Sequence, residues 1–226
     1  MAKDRKYKVT DKHRARILSM EVDRKLRENG ITPTNQSINR VSATDFHKAI
    51  TAGKKANSKG WMVDVHTVKE YRSMRCYLTS DGMSGIAIKR NGDVVSLFST
   101  GGGRKLGKLL PFAVAAGGKK LDCYGGGLQN MYAVYGAVAT GRTPFSEEYA
   151  PSDWNKADGK PDVVAMILPK SLDDVIKSYD KGREIELSKV PLFTGDSGYD
   201  DMIADRDRKL GELRRSDARA DINLTS

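Results

Sequence analysis

Residues 85–138 read GIAIKRNGDVVSLFSTGGGRKLGKLLPFAVAAGGKKLDCYGGGLQNMYAVYGAV, and the punctuation of that stretch decides the fold. Apolar runs on either side of Asn91-Gly92 predict two strands joined by a tight turn, because an Asn-Gly pair accepts the positive φ such turns require. A glycine-rich loop follows, then an apolar run over 107–116 read as a helix, a short strand over 120–123, and a second helix over 128–134 that stops near Gly136. Pro111 is expected in the first turn of its helix, where a missing N–H costs little. The loop Gly101-Gly102-Gly103-Arg104-Lys105-Leu106-Gly107-Lys108 is a natural anion cradle. Its backbone amides can close on a phosphate, and the unpaired N–H groups of the helix start add partial positive charge. With three cations it suits the pyrophosphate of a coenzyme.

Working outward, Arg75–Thr79 alternates like a strand and Asp81-Gly82 supplies a turn, so three strands form an antiparallel meander. Downstream, the run DVVAMIL over 162–168 predicts a central buried strand. Ser171, ahead of Asp173 and Asp174, caps a helix to Tyr179. A charged helix over 199–215 carries the thin apolar stripe Met202, Ile203, Leu210 and Leu213, and the ending DARADINLTS is expected to form no packed element. At the front, Ile17, Met20, Val22 and Leu26 fit an amphipathic helix over 11–28 stopped at Asn29-Gly30. Residues 31–41 read as a linker. The expected division is therefore a basic helical arm and linker over 1–41, a main domain over 42–170, and a C-terminal helical extension over 171–226.

With 226 residues and 38% hydrophobic content, the chain can bury one substantial core. Cys76 and Cys123 predict buried free thiols, and His13, His47 and His66 have no ligand spacing, so no metal is expected. The front of the chain has no apolar run suited to a signal peptide or membrane helix, which predicts a cytoplasmic protein without a membrane partner. The net charge of +10 is uneven: residues 1–60 hold 15 Lys and Arg against 6 acids, whereas 151–226 hold 13 against 16. A basic front segment can meet nucleic acid or an acidic protein through charge, or serve as a solvated helix face.

The order of elements resembles the GNAT superfamily of acyl-coenzyme A-dependent N-acetyltransferases. Arg104-x-x-Gly107 is similar to that family's pyrophosphate loop, and Tyr132-x-x-x-Gly136 to its later helix ending. Leu109 stands where the loop motif closes on a small residue, and Ala137 where Phe is usual. The wider wording, with RTPFSEEYAPSDWN after it, looks like the GNAT-like proteins encoded by bacteriophages and mobile elements. The resemblance covers residues 46–168 and implies an α+β fold: a central mixed, mostly antiparallel sheet flanked by helices.

It also implies acetyl-CoA as co-substrate and an amine, on a host protein or elsewhere, as acceptor. Leu97, Phe98 and Ser99 would hold the thioester, and Gly102, Gly103, Arg104, Lys105, Leu106, Gly107 and Lys108 the pyrophosphate. Tyr132 would protonate the leaving thiolate, while Glu147, Glu148 and Asp153 become acceptor-side candidates that also read as surface carboxylates. The alternative expectation is a non-catalytic GNAT-like or virion-associated protein that contacts nucleic acid or a host factor through residues 1–40.

Overall fold

The structure, a computed structural model, describes residues 10–100 and 106–224, with backbone alone for Leu106 and 217–224. It is a mixed α+β chain with antiparallel sheets flanked by helices. The chain divides into two units, Met1–Gly118 and Lys119–Ser226.

In the first unit four strands lie in sequence order: β1 (Ile38–Arg40), β2 (Arg75–Thr79), β3 (Ser84–Ile88) and β4 (Val94–Ser99), all antiparallel. The turns are those expected: Gly82 and Gly92 take φ 69° and 86°, and the Asn91 side chain accepts from the Asp93 N–H at 3.1 Å. Every residue of β3 is buried, because helices cover both faces of the sheet. On one side α2 (Ala43–Ala56) and the single-turn α3 (Val68–Tyr71) close a core of Phe46, Ile50, Tyr71, Met74, Cys76, Leu78, Ala87 and Phe98. Ser42 caps α2, its hydroxyl accepting from the Asp45 N–H. On the other side α4 (Leu106–Ala115) packs on β3, and Phe112 meets the Tyr77 ring at 5.1 Å.

The front segment belongs to this unit, contrary to the expected arm and linker. Helix α1 (Asp11–Glu28) buries Ala15, Ser19, Val22 and Leu26, spaced four, three and four residues, against β1 and α4. Ile17 and Met20, expected on the inner stripe, are 50% and 63% exposed. Ser19 holds the stripe because its buried hydroxyl accepts the Ile38 N–H at 2.9 Å and so fixes β1 to the helix. The presumed linker contains β1, paired with β2, so a domain boundary at residue 41 would cut a sheet.

Pro111 also sits deeper than expected, as the sixth residue of α4, and leaves the Gly107 carbonyl without its helical N–H donor. The helix is fastened at its start: the Lys108 ammonium, 1% exposed, meets Asp23 of α1 and the Gln36 carbonyl, each at 2.5 Å.

The second unit holds a three-stranded antiparallel sheet in the order β5 (Lys120–Tyr124), β7 (Val163–Ile167), β6 (Val138–Thr143). The strand expected to be central and buried is β7, where Val164, Ala165 and Met166 are fully buried. Between β5 and β6 lies α5 (Leu128–Ala133). After β7 come α6 (Leu172–Ser178), capped by Ser171 as expected, and α7 (Gly198–Leu224). α7 docks on β6 and β7, and its helical backbone continues to Leu224, into the ending expected to form no packed element. Met202 is buried in that seam but Leu213 is 54% exposed, so the predicted apolar stripe is only partly used. Charge does the rest: Lys120 pairs with Asp207, the buried Arg206 lies by Asp122 and Asp207, and Lys209 donates to the Thr140 carbonyl at 3.0 Å.

The Lys108–Asp23 pair carries a stability prediction. Removing one member of a buried pair strands the other charge, so Asp23→Ala should cost about 3 kcal/mol, the low end for such a loss because Asp23 retains some solvent contact. Replacing both together, Asp23→Leu with Lys108→Met, should recover most of it. Denaturant unfolding of the three variants checks this, and an Asp23→Ala loss under about 0.5 kcal/mol, the range of ordinary surface changes, would show the pair to be idle.

Candidate functional site

The predicted binding residues of the first unit lie on β4 and at the start of α4. Leu97, Phe98 and Ser99 are consecutive on β4, which among the described residues pairs with β3 alone and forms the edge of its sheet, where the Asn57 side chain donates to the Ser99 carbonyl at 3.4 Å. Such an edge offers backbone N–H and C=O groups to an extended ligand. Phe98 is committed inward: it pairs with Gly85 of β3, and its ring is buried against Phe46 at 5.9 Å.

The edge is not regular. Gly85 pairs with Phe98 and Ala87 with Val95, so Ser96 and Leu97 stand opposite Ile86 alone: a β-bulge with one extra residue on β4. Ser96 takes φ 54°, the left-handed region, where a non-glycine residue is strained. A bulge re-aims the amides around it, which is how an edge strand can turn N–H groups towards a ligand carbonyl.

Gly102, Gly103, Arg104 and Lys105 lie outside the described residues. Leu106, Gly107 and Lys108 form the first turn of α4, whose N–H groups have no partner within the helix. Lys108 does not face outward as a cation. Its ammonium is committed to Asp23 and the Gln36 carbonyl, and burial holds it below the usual lysine range. Its contribution to an anion site is therefore its backbone N–H. Leu109, at the motif's small position, is fully buried.

Tyr132 belongs to the second unit, on α5, and is 6% exposed. Burial, then the neighbouring Cys123 thiol and Asp122 carboxylate, push its phenol well above the ordinary range, so it stays protonated at neutral pH. Tyr135 lies past the end of α5, packs on Tyr179 at 5.4 Å, and is pushed up to about 12 by burial and that neighbour. Gly136 explains the second half of the motif. With φ 86° it ends α5 as a left-handed stop, its N–H meeting the Ala133 carbonyl and the Ala137 N–H the Tyr132 carbonyl. A side chain there would also strike Ser178 at 2.6 Å.

The acceptor-side candidates lie between β6 and β7. Glu147, Glu148 and Asp153 are exposed, and Glu147 pairs with Lys160, whose hydrogen bond and charge hold its carboxyl below the usual range. A carboxylate so stabilised is a weak proton acceptor. Nearby, Phe145 packs between Tyr124 at 5.9 Å and Trp154 at 4.8 Å. Sequence reasoning passed over Tyr71, which bonds to Ser96 in the bulge at 2.8 Å. The signal was present: Ser96 is a polar residue on the buried phase of the strand VVSLFS.

Among the described residues no group of three or more His, Cys, Asp or Glu is placed to hold a metal ion, and no helix is long and apolar enough to cross a membrane. Set against protein-family models, curated proteins and solved structures, the chain has no match in any of the three.

The raised phenol of Tyr132 has a measurable sign. A group whose folded pKa lies above its unfolded value of about 10 gives stability that is present below that pH and lost as pH climbs towards the folded value. Wild type should therefore lose stability with alkaline pH more steeply than Tyr132→Phe, by about 1.4 kcal/mol per pH unit above 10. Urea unfolding between pH 9 and 11.5 measures the difference. Parallel curves would show that this phenol ionises as freely folded as unfolded.

Proposed function

We propose that the chain is a GNAT-type N-acetyltransferase that moves an acetyl group from acetyl-CoA to an amine. The observation that carries the reading is in the first unit: an edge strand bulged at Ser96 and Leu97 is followed, after the glycine-rich sequence at 101–103, by the start of a helix. A thioester arm laid along β4 would gain backbone hydrogen bonds, while the helix start would favour its phosphates. The fit is supported by Leu109, whose side chain is fully buried, and by Gly107, which brings no side chain of its own to that turn.

Acetyl-CoA supplies a thioester whose carbonyl carbon an amine can attack. Amides of the β4 bulge would hold and polarise that carbonyl, giving orientation and charge stabilisation together. As the new C–N bond forms and the C–S bond breaks, Tyr132 would give its proton to the departing thiolate. The tyrosinate would regain a proton, through solvent, from the attacking nitrogen, which loses one as it becomes the neutral amide. Glu147, Glu148 and Asp153 remain the candidates for attracting a cationic acceptor.

Calorimetric titration with acetyl-CoA should show binding that weakens on Arg104→Ala and on Gly107→Glu, the latter adding a carboxylate beside the phosphates. Absence of both heat and thermal shift at millimolar coenzyme would overturn the reading. With an accepting amine found by screening, Tyr132→Phe should lower turnover about 10²- to 10⁴-fold while acetyl-CoA affinity is kept, and Tyr135→Phe should change little. Equal turnover of the two variants would make Tyr132 a packing residue.

A further inference from the structure

Ser96 is the one non-glycine residue with positive φ among the described residues. A bulge that merely ended strand pairing would be built most cheaply with glycine or asparagine, which tolerate that backbone conformation. A strained serine persists only where its surroundings over-determine it, and such sites concentrate where function needs a fixed shape.

Three hydrogen bonds supply the constraint, and their direction is unambiguous. The Asp64 carbonyl can only accept, so the Ser96 O–H donates to it at 2.9 Å. Ser96 Oγ is then the acceptor for the Tyr71 O–H at 2.8 Å, and Tyr71 Oη in turn accepts the His66 backbone N–H at 3.1 Å. The Tyr71 ring cannot swing away. It is 1% exposed, edge-on to Phe46 at 4.9 Å, and beside the His66 ring at 5.6 Å. The relay thus ties the bulge to residues 64–66 and to the core, and every proton in it is used.

We infer that Tyr71 and Ser96 are positioning residues, whose clamp holds the β4 bulge in the shape that receives an acyl carbonyl. The inference rests on the coenzyme reading above. Neither side chain touches the ligand in this scheme. Without the clamp, Ser96 is free to leave the left-handed region, and the adjoining amides lose the fixed direction that a preorganised donor needs.

The test is calorimetric titration of the full-length protein with acetyl-CoA and, separately, with CoA, which lacks the acyl carbonyl. Wild type should favour acetyl-CoA by about fivefold, the worth of one net hydrogen bond. Tyr71→Phe and Ser96→Ala should bind CoA as wild type does and lose that preference. Ser96→Gly guards against misfolding, since glycine accepts φ 54° without strain. It trades the relieved strain against the two lost hydrogen bonds, so it should still fold, and it should also lose the preference. A preference kept in Ser96→Gly and Tyr71→Phe overturns the clamp. Parallel weakening for both compounds, or a wild type that does not distinguish them, overturns it equally. A wild type that binds neither compound overturns the coenzyme reading itself, a separate failure visible before any variant is compared.

Discussion

One strand sets the terms for the first unit. β4 must pair with β3 along one edge, pack Phe98 into the core beneath α2, and still deliver the chain to the glycine loop ahead of α4. A regular strand would satisfy the first two demands with its amides in fixed alternation. The extra residue at Ser96–Leu97 breaks that alternation on the edge that β3 does not cover. The strain is local and the restraint is not: the Ser96 hydroxyl reaches residue 64 and Tyr71, and Tyr71 lies in the aromatic core with Phe46. The shape of the edge is therefore coupled to the packing of the unit. A core that loosened around Tyr71 would release the bulge as well.

A second theme is the use of buried charge where sequence patterns suggest apolar seams. Lys108 joins α4 to α1 through Asp23, and in the other unit Lys120, Asp122, Arg206 and Asp207 join β5 to α7. Apolar contacts hold a helix against a surface but allow it to slide, whereas a charge that must find one partner fixes register, because every misplaced arrangement leaves it stranded. For α4 the consequence is specific. Its first turn follows the glycine loop, so pinning Lys108 fixes where the helix amides begin. The basic front segment then has a structural use: α1 buttresses the helix start, and its outward side keeps Lys12, Arg16, Ile17 and Met20 exposed.

The meander, its turns, the central β7 and the Ser171 cap were legible because each rests on local chemistry: alternation, an Asn-Gly or Asp-Gly turn, a hydroxyl at a helix start. The failures share a cause. Ser19 lies in the buried stripe of α1 through a hydrogen bond to Ile38, a partner distant in sequence, so a reading that sought apolar residues chose Ile17 and Met20 and misplaced the face. β1 is three residues long and exists because β2 offers an edge, which no local propensity announces. Lys108 read as a phosphate ligand because cations after glycines suggest one, while Asp23, 85 residues away, decides its fate. Ser96 was visible as a polar residue in a buried phase, yet its meaning required Tyr71 and Asp64 in three dimensions.

The Tyr132-x-x-x-Gly136 pattern shows how such a motif divides once its geometry is known. Its glycine is fully accounted for without any ligand: positive φ, the two closing hydrogen bonds of the helix stop, and the approach of Ser178 each demand it. Any helix ended this way would carry that residue, so the glycine adds no weight to a chemical role. The tyrosine is different. Packing alone would be served by phenylalanine, which spares the cost of burying a hydroxyl. The Tyr132 hydroxyl makes no hydrogen bond among the described residues, while burial and the adjacent Cys123 and Asp122 keep its proton in place. A proton held that firmly is given up less readily, so these surroundings do not by themselves make Tyr132 an acid; they leave its hydroxyl as the part of the motif that the helix stop does not require. Any chemical role proposed for the motif therefore rests on one oxygen atom and not on its glycine.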